Sequence, residues 1–419
     1  MNKINENRLV PKLRFPEFHN NETWQKKSLN EISSALLDGD WIESKDQSNN
    51  GVRLIQTGNI GVGEFLLKPQ NARYISEETF ERLNCTEIFP GDCLVSRLPD
   101  PIGRSCFIPD IKVRMITAVD CLIIRFNKNQ VVPYLFVLYS QTDKYFAEIK
   151  ALASGSTRER ISKENLSRIK IPITQITEQQ KIATCLSALD EVITAESQKL
   201  YILQDHKRGL LQNLLPQEGE TVPKFRFKEF RNRGDWEETT LIQVADYENG
   251  KAHEQDIADD GEFIVVNSKF ISQDGKIKKF TNTAFCPATK GDVLMVLSDI
   301  PNGKAIAKCF LVEEDNHYTV NQRICRISPR KLNSKILYYL LNRNPYFLAF
   351  DDGVKQTNLR KEDVLNCPLL IPSDPKEQEK IADTLSSIDE LINAQNQKVE
   401  ILKLHKKGLL QGLFPCITN

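Results

Sequence analysis

Two stretches of the chain decide its fold: EQQKIATCLSALDEVITAESQKLYILQDHKRGLLQNLLP at residues 178–216, and EQEKIADTLSSIDELINAQNQKVEILKLHKKGLLQGLFP at residues 377–415. A direct count gives 23 identical positions out of 39, without a gap. Agreement on that scale is far above chance, so the chain contains an internal duplication, which sets the framework for interpreting everything else.

Each repeated stretch carries apolar residues at alternating steps of four and three, the spacing of a coiled-coil seam. The seam positions are Ile182, Leu186, Leu189, Ile193, Leu200, Leu203 and Leu210 in the first stretch, and Ile381, Leu385, Ile388, Ile392, Val399, Leu402 and Leu409 in the second. Polar residues interrupt both seams at the same two places, Glu196 with Gln395 and Lys207 with Lys406. Such positions cost stability but can specify register and partner.

Start and stop signals bound both predicted helices. Residues 177–180 fit a capping box at the first helix, and Asp374 is a candidate N-cap for the second. Pro216 and Pro415 should end the helices, because proline lacks an amide donor. Each helix would be about 55 Å long, and we expect the two to pack antiparallel and hold the variable regions apart.

Glycines stand near the end of both helices, at Gly209 and Gly408. Glycine inside a helix costs about 1 kcal/mol relative to alanine. Their shared position suggests a close approach of another backbone, although a frayed last turn is equally compatible with the sequence.

A second repeated block opens each half: PKLRFPEFHNNETW at residues 11–24 matches PKFRFKEFRNRGDW at residues 223–236. Between the constant blocks the halves diverge, and the anchors that recur are Gly91-Asp92 with Gly291-Asp292, Gly103 with Gly303, and Gly155 with Gly353. We therefore predict four segments: an N-terminal arm with the first variable domain at 1–175, a central helix and linker at 176–222, the second variable domain at 223–374 and a C-terminal helix at 375–419.

Both variable domains are predicted to be globular α/β domains, so that the whole chain is α+β with a pseudo-two-fold internal repeat. The predicted strands are 54–56, 93–97, 105–108 and 121–126 in the first domain, and 263–266, 293–297, 305–309 and 323–327 in the second. A helix should follow in each, at 133–152 and 334–350, and then a glycine-bearing loop, at 154–166 and 352–364.

These loops, and a few other polar positions, have the chemistry to bind nucleic acid. Arginine can donate two hydrogen bonds to guanine, asparagine and glutamine can pair with adenine, and cations neutralise phosphates. For any single position, a solvated surface residue or a local cap is the open alternative. The candidates are Arg53, Gln56, Asn59, Arg97, Arg104, Arg158, Arg160 and Lys163 in the first domain, and Asn267, Lys269, Asn302, Lys304, Asn321, Gln322, Lys355, Gln356, Asn358 and Arg360 in the second.

Composition excludes several classes of protein. The 10 cysteines are scattered singly, which argues against a zinc site or a disulfide framework. No apolar run is long enough to span a bilayer, and the first residues do not resemble a signal peptide, so we expect a cytoplasmic protein. The net charge is +0. A neutral net charge argues against a protein that binds DNA without a partner, since phosphate neutralisation requires excess basic residues.

Catalytic motifs are weak. No phosphate-binding GxxxxGK[ST] loop occurs. Asp100, Asp110 and Lys112 loosely fit a magnesium-nuclease pattern that the second half does not repeat, and this nuclease remains one alternative. The sequence Asn-Pro-Tyr-Phe at 344–347 is faintly similar to an adenine-methyltransferase motif, but we interpret it as aromatic core packing. A coiled-coil adaptor without a role in DNA binding is the other alternative.

The chain resembles type I restriction–modification specificity subunits. The resemblance covers nearly the whole chain and is carried by PKLRFPEF, the recurring Gly-Asp anchors, GSTRERISKENLSRIKIPI at residues 155–173, and the EQ(Q/E)KIA and K(R/K)GLLQ motifs of both helices. The second loop departs from the first, with DGVKQTN where the first has SGSTRER, which is compatible with two different half-sites.

The resemblance implies a non-catalytic DNA-recognition subunit. Each variable domain would be a target-recognition domain for one half of a split site in double-stranded DNA. The helices would set the gap and bind two methyltransferase subunits, through which restriction subunits join. S-adenosylmethionine, ATP and magnesium would then be held by those partners, with no cofactor on this chain. Partners that close around the duplex would also supply the phosphate contacts that a neutral chain lacks.

Overall fold

The structure is a computed structural model that describes residues 9–155, 159–217, 219–301 and 303–415. The chain divides into two compact units. The first unit combines residues 1–197 with residues 397–419, and the second comprises residues 198–396.

In its described residues, the first unit contains eleven strands and five short α-helices before the first long helix. The strands are β1 (Gln25–Ser28), β2 (Ser33–Asp38), β3 (Gln47–Ser48), β4 (Val52–Ile55), β5 (Arg73–Ile75), β6 (Glu87–Ile88), β7 (Cys93–Ser96), β8 (Ser105–Phe107), β9 (Met115–Thr117), β10 (Cys121–Phe126) and β11 (Lys170–Ile173). The helices are α1 (Leu29–Ile32), α2 (Glu77–Arg82), α3 (Pro133–Tyr139), α4 (Asp143–Leu152) and α5 (Lys163–Arg168), followed by the long helix α6 (Ile176–Leu214).

Two sheets form the body of the first unit. Strands β2, β10, β7 and β8 make an antiparallel sheet in that order, and β3, β5, β4, β9 and β6 make a second sheet in which β4 and β9 run parallel. A separate ladder pairs β1 with β11, which ties the start of the domain to the strand before α6. The main core lies between the four-stranded sheet and α3, α4 and α6.

The second unit repeats this plan. Its strands are β12 (Glu237–Thr240), β13 (Ala245–Asn249), β14 (Ile257–Ala258), β15 (Phe263–Val266), β16 (Phe280–Thr281), β17 (Pro287–Ala288), β18 (Val293–Val296), β19 (Ser298–Asp299), β20 (Cys309–Leu311), β21 (Tyr318–Val320), β22 (Ile324–Pro329), β23 (Thr357–Asn358) and β24 (Pro368–Ile371). Its helices are α7 (Leu241–Val244), α8 (Ser268–Ser272), α9 (Ser334–Leu341), α10 (Pro345–Leu348), α11 (Lys361–Leu365) and α12 (Pro375–Leu413).

The sheet orders also match between the units. Strands β13, β22, β18 and β20 correspond to the first four-stranded sheet, and β14, β16, β15, β21 and β17 to the five-stranded one, again with one parallel pair, β15 with β21. The β12–β24 ladder corresponds to β1–β11. The second unit adds a ladder between β19 and β23, which positions the candidate site described below. The predicted α+β fold with an internal repeat is confirmed.

Each long helix contains 39 residues, begins in one unit and ends in the other. Within the first unit, Asp190 pairs with Lys406 and Glu196 pairs with Lys398, so the two helix segments run antiparallel. All of the predicted seam residues are buried or half-buried. The second unit contains the corresponding segments, in which Lys207 pairs with Asp389.

One prediction about the helix ends is wrong. Helix α6 begins at Ile176, so residues 177–180 lie inside the helix and form no capping box. A Cβ added to Gly209 or Gly408 would meet nothing within 4 Å, which excludes the close backbone approach, one of the two alternatives left open for these glycines. The prediction for the second helix is confirmed, because Asp374 accepts a hydrogen bond from the Lys376 amide at 2.9 Å just before Pro375.

The opening blocks are anchored on the long helices by a buried ion pair that occurs once in each unit. Arg14 binds Glu178 through two hydrogen bonds of 2.8 Å, and their side chains are 6% and 1% exposed. Arg226 binds Glu377 in the same way at 2.7 and 2.8 Å, at 10% and 1% exposure. A bidentate arginine–carboxylate pair fixes direction as well as distance.

In both long helices a glutamine follows this glutamate. Its side chain binds the loop that precedes helix α3 in the first unit and helix α9 in the second. Gln179 accepts a hydrogen bond from the Val132 amide at 2.9 Å and donates to Gln130. Gln378 accepts from the Asn333 amide at 3.0 Å. We call the two opening blocks (residues 11–24 and 223–236) and the two long helices the frame. The glutamate and the glutamine together connect each variable domain to this frame, which explains the repeated EQ dipeptide.

A third contact explains the lysines that interrupt the seams. Asp190 accepts hydrogen bonds from the Tyr134 hydroxyl at 2.6 Å and pairs with Lys406 at 2.7 Å. In the second unit Asp389 accepts from the Tyr339 hydroxyl at 2.8 Å and pairs with Lys207. Burial raises the pKa of both tyrosines, and the aspartate hydrogen bond adds to the effect. Each seam lysine thus completes a contact among two helix segments and a variable domain.

Some predicted elements have different bounds in the structure. The helix predicted at 133–152 is broken between α3 and α4, where Thr142 accepts a hydrogen bond from the Tyr145 amide and caps α4. The helix predicted at 334–350 is broken at Arg343, whose φ of 58° is left-handed. The strand predicted at 305–309 begins only at Cys309, because the Asp299 carboxylate binds the Ala305 and Ile306 amides.

Candidate nucleic-acid interface

In the first unit, the loop after α4 lies on the hairpin between β7 and β8. Ser154 and Arg160 exchange backbone hydrogen bonds of 2.9 and 2.8 Å, which closes the loop. The Ile161 amide then donates to the Arg97 carbonyl at 3.2 Å. Two segments that are far apart in sequence, and that carry the recurring glycines, therefore meet at one edge of the four-stranded sheet.

Five charged side chains meet there, and we call them the first loop cluster: Asp38, Arg97, Asp120, Arg160 and Lys163. Asp38 pairs with Arg97 at 3.2 Å and with Lys163 at 3.3 Å, while Asp120 pairs with Arg160 at 2.8 Å. Arg160 and Lys163 are 49% and 40% exposed. Exposed ion pairs contribute little to stability, so these two cations can exchange their carboxylate partners for a phosphate or a base.

Other nucleic-acid-binding candidates of the first domain use their side chains for hydrogen bonds within the domain. The Arg104 side chain donates to five backbone carbonyls, those of Thr57, Ile60, Leu98, Pro99 and Pro101, at 2.6–3.1 Å.

Two further residues organise the loop that follows β4. Arg53 is buried and donates to the Leu67 carbonyl at 2.6 Å and to the Tyr74 hydroxyl at 3.2 Å. Asn59 accepts from the Gln56 amide and donates to the Leu66 carbonyl at 2.8 Å. Gln56 itself is half-buried. Together with Arg104, these residues shape the loops and have few donors left for DNA.

In the second unit, the loop after α10 pairs with the hairpin between β18 and β20. Strand β19 pairs antiparallel with β23, with Ser298 opposite Asn358 and Asp299 opposite Thr357. The Leu359 amide donates to the Leu297 carbonyl at 2.8 Å, a contact that corresponds to Ile161 with Arg97 in the first unit.

This second site contains two amide side chains beside its cations. Gln356 donates to Ser298 Oγ at 2.7 Å and to Asn358 Oδ1 at 3.3 Å. Gln356, Asn358, Lys355, Arg360 and Lys304 are all exposed. In each domain the structure therefore brings together described residues of the predicted loop. The first site presents Arg160 and Lys163, whereas the second also presents the amides of Gln356 and Asn358.

The remaining candidates of the second domain lie elsewhere. Asn267 caps α8 by accepting a hydrogen bond from the Phe270 amide at 2.9 Å, and Lys269 is exposed on that helix. Asn321 and Gln322 both donate to Glu254, at 3.4 and 3.2 Å. Two candidates, Arg158 and Asn302, lie outside the described residues.

Sequence reasoning missed the acidic and strand-end members of these sites. Asp38 and Asp120 orient the first loop cluster, although acidic residues were not considered for nucleic-acid contact. Arg323 is exposed in the second unit, and its carbonyl accepts from the Leu297 amide at 2.9 Å, as that of Asp120 does from Arg97. The register of the repeat, which places Arg323 where the first domain has Asp120, could have identified it.

The long helices also carry exposed apolar side chains in both units. In the first unit these are Val192, Ile401 and Leu404, which lie in the segments bounded by the Asp190–Lys406 and Glu196–Lys398 pairs. In the second unit they are Tyr201, Ile202 and Leu391. Val192 matches Leu391, and Ile202 matches Ile401, in the repeat. We call these side chains the helix patches; the feature that distinguishes them is that exposed apolar residues recur at matching positions of the two long helices.

The residues of the weak catalytic motifs have structural contacts. Asp110 forms an exposed ion pair with Lys112. Asn344 caps α10 through the Tyr346 amide at 2.9 Å, and Phe347 is buried in the core, as the packing interpretation expects. Within the described part of the chain, no group of three or more histidine, cysteine, aspartate or glutamate side chains is arranged to hold a metal ion.

Comparison with known families gives a match over most of the chain. Residues 21–203 and 233–402 each match the family described as Type I restriction modification DNA specificity domain. The chain is 26% identical over 313 residues to the Type I restriction enzyme MjaVIII specificity subunit of Methanocaldococcus jannaschii, covering 69% of this chain and 71% of that protein. It is 21% identical to the putative Type I restriction enzyme MjaX specificity subunit of the same organism, over 94% of this chain and 93% of that protein.

Solved structures with the same fold are also known. The S subunit of a Type I restriction-modification system from M. genitalium aligns with a TM-score of 0.63 and 15% identity, over 98% of this chain and all of that one (100%). A chain from a structural study of complex assembly and conformational transition of the type I R-M system aligns with a TM-score of 0.52 and 16% identity, over 94% and 97%. Among the helices in the described ranges, none is long and apolar enough to cross a membrane.

Proposed function

Because this chain belongs to the type I restriction–modification DNA specificity family, we propose that its two variable domains each recognise one half of a bipartite site in double-stranded DNA, while its helical frame binds two methyltransferase subunits. Membership confirms the specificity-subunit assignment, as opposed to a catalytic subunit. The observation that carries the bipartite proposal is the contrast between the constant contacts and the variable loops. Matching ion pairs anchor both domains, whereas the loop of the first site carries arginine and lysine paired with aspartates and the loop of the second adds the amides of Gln356 and Asn358 to its cations.

The first loop cluster is proposed to bind DNA through Arg160 and Lys163. Both are exposed and both are already oriented by carboxylates, so DNA oxygens or a guanine edge would replace Asp120 and Asp38 as acceptors. In the second unit, Gln356 and Asn358 would supply donors and acceptors to base edges. Lys304, Lys355 and Arg360 would contact phosphates.

Exchange of the first variable domain tests this proposal. Residues 24–174 would be replaced by the corresponding domain of another specificity subunit, and the methylated motif mapped in a host that supplies the methyltransferase subunits. One half-site should change while the other stays. The proposal fails if both halves change or neither does.

The matched control uses point variants in the same chain. Arg160→Ala should weaken site-specific binding, whereas Arg168→Ala, in an exposed ion pair with Glu164 on the adjoining helix, should leave it unchanged.

The helix patches are proposed as the methyltransferase contacts, one in each unit. Ile401→Asp and Ile202→Asp place a charge at equivalent positions of the two patches, and each should remove one methyltransferase subunit from the complex. Native mass spectrometry of the assembled complex would count the subunits. If both variants still bind two methyltransferase subunits, the helix patches are not the methyltransferase contacts.

Restriction subunits would join through the methyltransferase subunits, and S-adenosylmethionine, ATP and magnesium would be bound by those partners rather than by this chain. Calorimetric titration of the isolated chain with S-adenosylmethionine should show no binding, whereas the assembled complex should show it. The site of action would be the cytoplasm, where a restriction system meets DNA.

A further inference from the structure

Two aliphatic side chains protrude from the second loop site without apolar cover. Ile300 is 69% exposed and Val354 is 76% exposed, and they lie on the two loops that β19 and β23 join. In the first unit, the corresponding hairpin tip at residues 98–103 has Asp100 at the position of Ile300, and its two aliphatic residues, Leu98 and Ile102, are half-buried and buried. The protruding pair is therefore particular to the second domain.

The backbone of both residues is held in place by hydrogen bonds within their own loops. The antiparallel register pairs Asp299 with Thr357, and its continuation by one residue puts Ile300 across from Gln356. The Asp299 carboxylate binds the Ile300 and Ala305 amides at 2.9 and 2.6 Å. On the other loop, Asp352 accepts from the Val354 and Lys355 amides, both at 2.9 Å. Carboxylate-capped turns thus present an apolar group on each side of the amides.

We propose that Ile300 and Val354 contact thymine 5-methyl groups in the major groove, so that the second domain selects A·T base pairs. This inference rests on the proposed function and specifies its second half-site. The thymine methyl is the apolar group that a base pair presents in that groove, and the adenine beside it pairs with asparagine or glutamine amides. Gln356 and Asn358 supply those amides next to the two aliphatic side chains.

The surroundings favour DNA over a protein partner. A protein-docking site would expose a contiguous apolar surface of several hundred Å². Here the neighbouring exposed side chains are charged or polar: Lys304, Lys355, Asn358 and Asp352, whose carboxylate is held by the Val354 and Lys355 amides. Isolated aliphatic groups among cations and amides match a base edge flanked by phosphates.

The test measures binding of a DNA duplex to the chain assembled with its methyltransferase subunits. The duplex carries the motif that methylation mapping assigns to this complex. Thymines of the second half-site would be replaced by deoxyuridine, which lacks the 5-methyl group. Each lost methyl contact should weaken binding by about fourfold, the effect of exposing one methylene-sized group. Deoxyuridine in the first half-site should have no effect through these residues.

The variant I300A/V354A should bind the thymine duplex more weakly than the wild type and show no further loss with deoxyuridine. Because both side chains are exposed, its melting temperature should not change, which separates this result from misfolding. The matched control is Ile257→Ala, at a residue that is 40% exposed on β14 and away from the loops. It should keep the full deoxyuridine penalty.

Three results would overturn the inference. The first is a mapped second half-site without A·T pairs, and the second is equal site-specific affinity for thymine and deoxyuridine duplexes; both would leave the proposed bipartite function intact. The third is a deoxyuridine penalty that persists in I300A/V354A, which would assign the methyl contact to other residues. Absence of any site-specific binding would instead remove the proposed function and the inference together.

Discussion

Removal of one carboxylate should show how strongly the variable domains depend on the frame. Glu377 is 1% exposed and binds Arg226 through two hydrogen bonds of 2.7 and 2.8 Å. Arg226 donates both hydrogen bonds, and they are the main cause that raises its pKa above the ordinary value for arginine. That ordinary value already lies far above neutral pH, so the guanidinium stays charged when its partner is neutralised. Glu377→Gln keeps the shape of the side chain and leaves a buried cation without its counter-charge.

The expected cost follows from that burial. Loss of one partner from a buried ion pair costs about 3–5 kcal/mol, out of a total stability of about 5–15 kcal/mol for a typical protein. For a unit of this size each kcal/mol shifts the melting temperature by about 2–4 °C. Glu377→Gln should therefore lower the midpoint of thermal unfolding by roughly 6–20 °C. Glu178→Gln should act similarly in the first unit, where the same pair recurs.

Calorimetry and urea titration would measure the change. Glu400→Gln is the control, because Glu400 pairs with Lys403 on the surface and should leave the midpoint unaffected. Replacement of both partners, by R226M together with E377L, should recover much of the loss, since apolar pairs of similar volume substitute well for buried ion pairs. A Glu377→Gln protein as stable as the wild type would refute the reasoning.

Three further changes test other parts of the fold. Gly209→Ala and Gly408→Ala should each stabilise the protein by up to about 1 kcal/mol, because alanine favours helix and a Cβ meets nothing there; urea titration would detect it, and destabilisation would reveal a hidden contact. Burial raises the pKa of Cys106 and of Cys325 from 9.0 to about 12. Their contribution to stability is therefore intact below about pH 9 and is lost as the pH rises towards 12, because the unfolded thiols ionise first; melting temperatures at pH 8 and pH 10 should differ, and less so in Cys325→Val. Lys406→Met should weaken the contact among Asp190, Tyr134 and the helix by about 1.5–3 kcal/mol, the value of a charged hydrogen bond; Lys406→Arg should restore part of it, and an unchanged urea midpoint in Lys406→Met would contradict the assignment.

The frame could be predicted because its information is local and is present twice. Steps of four and three located both long helices, and proline together with an aspartate cap located the start of α12 within a residue. Continuous apolar runs located the strands β10 and β15 at their observed bounds. The break between α3 and α4 was missed, because a threonine cap inside an apolar helix pattern looks like any other polar position.

The partners of the frame residues could not be predicted, since they lie far apart in sequence. Arg14 meets Glu178 across 164 residues, and no periodic pattern connects them. The one available signal was that an arginine and a glutamate recur together in the constant blocks of both halves. Burial was equally hidden: Arg53 and Arg104 have the chemistry for nucleic acid, yet tertiary packing directs their donors to backbone carbonyls.

The first unit is discontinuous in the chain, and this affects the order in which the protein can be completed on the ribosome. The Leu13 amide donates to the Gly412 carbonyl at 2.8 Å, and the rings of Trp24 and Phe414 lie 6.0 Å apart, so part of the core of the first domain comes from residues that are made after the second unit. The second unit needs only residues 198–396. A nascent chain can therefore complete the second unit before the first, and a nonsense mutation near residue 400 would remove core residues of the first domain while leaving the residues of the second unit intact.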